Sequence, residues 1–152
     1  MKSASAKIEE IADLLDFCTP EELQEIDGIL AENTPVWVPL PGPQTEAYES
    51  EADILYYGGS AGGGKSDMLL GLGLTRHTRS IIYRREGTQN LANVDRLLNE
   101  IVRDRKGWNG KDNVWRGGNR QIEFGSCKDL GDEQKYQGRA HDLKGFDVGG
   151  WY

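Results

Sequence analysis

Apolar positions recur at helical spacing early in the chain and in short β-type runs later. Ile8, Ile11, Ala12, Leu14 and Leu15 are separated by Glu9, Glu10, Asp13 and Asp16, which predicts an amphipathic helix over 5–17. A second helix carries its own start signal. Thr19 can cap, Pro20 suits the first helical position, and Glu22 completes a capping box. Leu23, Ile26, Ile29 and Leu30 form its apolar stripe. Together the two predict a helical hairpin over 1–34, either a docking element for its own domain or an acidic arm for a partner protein.

Pro35, Pro39, Pro41 and Pro43 then exclude both helix and central strand. They predict an extended linker within 35–50, with Trp37 and Leu40 anchored on the domain and a short helix around 44–50. From Ile54 the pattern changes. Ile54–Tyr57 reads as a strand, 68–74 as a helix and 80–84 as a strand. Leu91–Val102 reads as a helix with Leu91, Val94, Leu97, Leu98 and Ile101 on one face. This alternation predicts βαβ units and an α/β domain over 51–152, with a largely parallel sheet flanked by helices. Gly117-Gly118-Asn119 predicts a hairpin between 113–116 and 120–124, and 143–146 a last strand.

Composition narrows the class. The 152 residues, 37% hydrophobic and 28% charged, suit one modest domain. No apolar run approaches the roughly 18–20 residues of a membrane span, which excludes an integral membrane protein. The polar start, Met1 to Lys7, predicts no secretory signal. Cys18 and Cys127 lack metal-ligand spacing and suit a reducing, cytoplasmic compartment. Charge is divided. Residues 1–53 hold two basic residues against thirteen acidic ones, and 54–152 hold sixteen against twelve, within a net charge of -7. The mildly basic second part could face phosphates while the acidic front part does something else. Its excess of four is far below the footprint of a dedicated DNA-binding domain, and charge alone reads as a solvated surface.

The most informative segment is Gly59, Ser60, Ala61, Gly62, Gly63, Gly64, Lys65 and Ser66, which satisfies G-x-x-x-x-G-K-[ST]. Wrapping a triphosphate in inward-pointing backbone N–H groups needs angles that a Cβ obstructs, hence the glycines. The following helix favours anions at its N-terminus. Lys65 supplies charge to the β- and γ-phosphates of ATP, and Ser66 a hydroxyl to Mg²⁺. Gln44 lies fifteen residues before Gly59. Its amide can read the adenine edge, or it can simply be a polar residue starting a helix. Asp147, ending the last predicted strand, is either the second Mg²⁺ position or a turn residue beside Gly149-Gly150.

Several segments, in order, resemble the large terminase subunit of tailed bacteriophages, the ATPase that drives DNA into capsids. They are Pro41–Ala47, Tyr57–Asp67, Ile81–Glu86, Gln121–Ser126 and Lys135–Asp147, with Tyr136-Gln137-Gly138-Arg139-Ala140-His141-Asp142 the most specific. The resemblance implies a P-loop NTPase fold of the ASCE type. It implies that Gln44 reads adenine, that Lys65 and Ser66 hold phosphate and Mg²⁺, and that Asp147 is the Walker B aspartate. Arg139, or Arg84 and Arg85, would supply charge to the γ-phosphate of the same or a neighbouring subunit. The implied partners are a small terminase subunit, the portal or prohead, double-stranded DNA and further copies of the chain. The chain departs from the family where Val148 replaces the glutamate that activates water, a group worth about 10²–10⁴-fold in rate. The expectation is therefore ATP binding with weak hydrolysis. The family's nuclease domain has no counterpart, and the ending at 148–152 reads either as that of a truncated or frameshifted gene or as that of a genuine short product. A small P-loop phosphotransferase and a non-catalytic nucleotide-binding interaction protein are the alternative readings.

Overall fold

The structure, a computed structural model, describes residues 4–59 and 62–148. The chain divides into two compact units, Met1–Pro35 and Val36–Tyr152.

The first unit holds α1 (Ala4–Leu15) and α2 (Pro20–Asn33). The start of α2 is built as its sequence predicts. The Glu22 backbone N–H donates to the Thr19 hydroxyl at 3.3 Å, and the Thr19 N–H donates to the Glu22 carboxylate at 2.8 Å. The Thr19 N–H and, second, the Thr19 hydroxyl, both donating to the Glu22 carboxylate, hold that carboxyl below its ordinary range. Among the described side chains of the two stripes, Ile11, Leu14, Ile29 and Leu30 remain exposed.

The second unit is mixed α/β. Its elements are α3 (Pro43–Glu49), α4 (Lys65–Thr75), β1 (Arg79–Arg84), α5 (Leu91–Asp95), β2 (Trp108–Asn109), β3 (Val114–Gly117), β4 (Arg120–Ser126) and β5 (Leu143–Phe146). Helix α5 follows a 3-10 turn at Gly87–Asn90 and widens into a π-helical turn at Arg96–Ile101. The five strands form one mostly parallel sheet in the order β2-β3-β4-β1-β5. Both neighbours of β1 run parallel to it, and β2 and β3 extend the β4 side antiparallel. Gly118, at φ 55°, makes the tight turn between β3 and β4.

Side chains alternate across a strand, so the sheet presents two distinct faces. On one, Ile82, Ile122 and Phe124 pack with Leu70 and Leu74 of α4 and with Leu97 and Leu98. Helix α4 is apolar nearly all round because it is covered twice. Its second side meets Trp37 and Ala47 through Met68 and Leu72. The other face carries Tyr83, stacked on Phe146 and edge-on to Tyr136, each at 5.0 Å between centroids. Burial, with the nearby Cys127, Tyr136 and Glu123, pushes the Tyr83 phenol up to about 12.

Three expectations are corrected. Ile54–Tyr57 forms no strand. It makes no ladder pairing, Ile54 and Tyr56 point into solvent, and only Tyr57 docks, through a bond from its hydroxyl to the Gly63 carbonyl. A four-residue apolar run is too short for periodicity to separate a strand from an extended loop. Leu91 lies outside the buried stripe at 68% exposed, and Asn90 and Asn93 take that place. The Leu40 side chain is also exposed. Its backbone is what is anchored: its N–H donates to Gln44 Oε1 at 2.6 Å, and its carbonyl accepts from Thr45 Oγ1 at 2.8 Å.

Candidate functional site

Parallel strands bring their C-terminal ends to one edge of the sheet, where open α/β sheets bind ligands. Here that edge carries Arg84 at the end of β1 and Asp147 just past β5. The Asp147 N–H donates to the Tyr83 carbonyl at 2.9 Å, which continues the ladder by one residue. This fixes the carboxylate beside the start of α4.

The glycine-rich loop reaches the same edge. Gly59, Gly62 and Gly64 take φ of 146°, 83° and 71°, angles that side chains rarely adopt. Ser60 and Ala61 lie outside the described residues. Gly64 caps α4 without a side chain, and the first helical bond runs from Met68 N–H to its carbonyl at 2.9 Å. A helix N-terminus without a side-chain cap presents a positive dipole end that favours an anion. The Lys65 ammonium donates to the Gly59 carbonyl at 2.7 Å and ties the two ends of the loop together.

Ser66 and Asp147, 81 residues apart in sequence, meet directly. The Ser66 hydroxyl donates to Asp147 Oδ2 at 2.7 Å. Arg84 donates to the same oxygen from Nε at 2.8 Å and lies 2.6 Å from it through Nη2. Asn93 donates to it from Nδ2 at 2.9 Å. Asp147 is 5% exposed, so the carboxylate is desolvated and compensated by one cation and two neutral donors. A hydroxyl and a carboxylate this close are the oxygen donors that Mg²⁺ takes while keeping its remaining positions for water and phosphate. Among the described residues there is no group of three or more His, Cys, Asp and Glu that could hold a metal ion.

Of the residues singled out from the sequence, Gly59, Gly62, Gly63, Gly64, Lys65, Ser66 and Asp147 therefore lie at one strand-end edge. Gln44 touches that loop from behind. It is buried, and its Nε2 donates to the Gly64 carbonyl at 3.0 Å. Arg139 lies elsewhere. Its guanidinium pairs with Glu123, which also contacts His141 Nε2 at 3.1 Å. Glu123 sits opposite Ile81 in register, on the sheet face away from α4.

Asn93 and Asp67 are site residues that sequence reasoning missed. Asp67 accepts from the Trp37 indole N–H at 3.0 Å and from Arg96 Nε at 2.9 Å. These bonds tie the proline segment and the helix bearing Asn93 to the first turn of α4. The available signal was two asparagines, Asn90 and Asn93, inside an otherwise apolar stripe.

No family model matches the chain, and neither a curated protein nor a solved structure matches it.

Proposed function

We propose that the second unit is a P-loop nucleotide-binding domain that takes ATP with Mg²⁺. We further propose that the chain corresponds to the ATPase part of a phage terminase large subunit, whose work is packaging viral DNA into proheads. The observation that carries the reading is the 2.7 Å contact between Ser66 and Asp147 at the mouth of the glycine-rich loop. A serine and an aspartate 81 residues apart have no other evident reason to meet. Bringing a P-loop hydroxyl and a strand-end carboxylate together is what a phosphate-and-metal site does.

In this reading the loop amides and Lys65 hold the β- and γ-phosphates, and Ser66 and Asp147 hold the metal. Bound Mg²⁺ would neutralise charge on the β- and γ-oxygens. Asn93 fixes the Asp147 carboxylate, and Gln44 and Trp37 fix the loop and its helix. Asp147 is followed by Val148, a half-exposed apolar side chain that cannot accept a proton from water. The chain therefore binds ATP and turns it over slowly. Val148 also favours a second reading, a nucleotide-binding interaction protein without catalysis. The small terminase subunit, portal, prohead and double-stranded DNA enter as partners through the resemblance alone.

Thermal denaturation with and without Mg-ATP, paired with a phosphate-release assay, tests the reading. Ligand at a hundredfold its Kd stabilises by about 2.7 kcal/mol, a readily measured rise in Tm. The expected result is that rise in the wild type, its loss in Lys65→Ala, and little phosphate release. No rise at millimolar Mg-ATP would remove the nucleotide-site reading. Rapid, sustained release would remove the slow-turnover part.

A further inference from the structure

We propose that Arg84 is the resident counter-ion of the Asp147–Ser66 pair, and that its guanidinium and a divalent cation hold that pair in alternation. This rests on the nucleotide-site reading and deepens it.

Asp147 Oδ2 collects Ser66 Oγ, Arg84 Nε, Arg84 Nη2 and Asn93 Nδ2, all within 2.9 Å. Arg84 Nη2 also donates to Ser66 Oγ at 3.2 Å. The guanidinium thus spans both oxygens that a metal would use. One of the two Ser66 lone pairs is engaged by Arg84, and the Ser66 O–H donates to Asp147.

A carboxylate this buried needs a positive charge beside it. Asn93 gives a hydrogen bond and no charge, so Arg84 supplies it. A guanidinium does not yield by losing a proton, because it stays charged at any pH the fold survives. It has to move. A dication on the same oxygen would bring two positive centres into contact with little water between them, which strongly disfavours joint occupancy of that oxygen. Cation entry and Arg84 release are therefore one event. Arg84 ends β1, so a released guanidinium stays at the mouth of the glycine-rich loop.

The test uses the whole chain and two readouts other than turnover. The first is 15N NMR of arginine Nε–H groups, with Arg84 assigned by the signal lost in Arg84→Lys. The expected result is an Arg84 Nε–H protected from solvent exchange in the free protein. With Mg²⁺ and a non-hydrolysable ATP analogue its exchange quickens at least about tenfold. The second is Mn²⁺ binding without nucleotide, followed by electron paramagnetic resonance. Arg84→Ala binds Mn²⁺ about tenfold more tightly than wild type, and adding Asp147→Asn abolishes the gain. If Arg84→Ala fails to fold, Arg84→Lys serves. It keeps the charge but cannot span both oxygens, so a smaller gain is expected. Suppose the loop amides shift with the analogue while Arg84 stays protected, or the Arg84 variants bind Mn²⁺ no better than wild type. Then the exchange is overturned and the nucleotide site stands. If neither the loop amides nor Arg84 respond to Mg²⁺ with the analogue, both proposals fall.

Discussion

Gln44 donates from its side-chain amide to the carbonyl oxygen of Gly64 at 3.0 Å, the residue on which α4 begins. Its Oε1 accepts from the Leu40 N–H, so one planar amide clamps the proline segment to the glycine-rich loop. A glutamine reading adenine would present those same atoms to a base. The two roles differ in what they do to a ligand without a base. Gln44→Ala removes the partner of the Leu40 N–H and one of the two donors to the Gly64 carbonyl, and is expected to cost about 1–3 kcal/mol of stability. It is also expected to weaken inorganic tripolyphosphate and ATP alike, because the loop itself loosens. Titration calorimetry with both ligands checks this. A variant that loses ATP affinity but keeps that for tripolyphosphate would return Gln44 to adenine reading.

Much of this arrangement was legible in the sequence, and the reasons are local. The capping box at Thr19, the φ demands of Gly59, Gly62 and Gly64, and the short β-rich run of Ile81, Ile82 and Tyr83 each act over a few residues. The short apolar run Leu143–Phe146 puts Asp147 at a strand end, as the structure has it. What was not legible depends on contacts between distant segments. Nothing local to Ile54–Tyr57 says that no strand pairs with it. Nothing local to Arg139 says that Glu123, sixteen residues earlier, claims its guanidinium. The two asparagines are visible in the sequence, but Asn93's partner Asp147 lies 54 residues beyond it and Asn90's, the Gly125 carbonyl, 35.

Trp37 lies against α4 at Gly71. A Cβ there would meet the indole ring at 2.3 Å, while the indole N–H is held by Asp67. The ring cannot retreat without breaking that bond. Gly71→Ala is therefore expected to destabilise the second unit by about 1–3 kcal/mol, as overpacking does. Adding Trp37→Ala removes the clash, so the two changes together cost less than their sum. A double-mutant cycle from urea denaturation measures the difference. Strict additivity would contradict the contact.

Asp142 joins the start of β1 to the segment entering β5. It accepts from the Thr78 N–H at 2.8 Å, the Arg79 N–H at 2.9 Å and the Thr78 hydroxyl at 2.9 Å. Burial pushes its carboxyl up, but these bonds, with nearby His77, outweigh burial and hold it below the ordinary 3.8. The folded protein then binds fewer protons there than the unfolded chain. The stabilisation is present above the ordinary carboxylate pKa and is lost as pH falls through the lowered folded value. Urea midpoints measured from about pH 5 down to about pH 2 are expected to fall less steeply in Asp142→Asn than in the wild type. Parallel curves would contradict it.

The most direct measurement is a crystal structure of the chain grown with Mg²⁺ and a non-hydrolysable ATP analogue. The expected density has the β- and γ-phosphates ringed by the backbone amides of residues 59–66, and a metal ion bridging Ser66 and Asp147. An analogue bound elsewhere, or a loop that leaves the phosphates in solvent with Ser66 and Asp147 unchanged, would contradict the account.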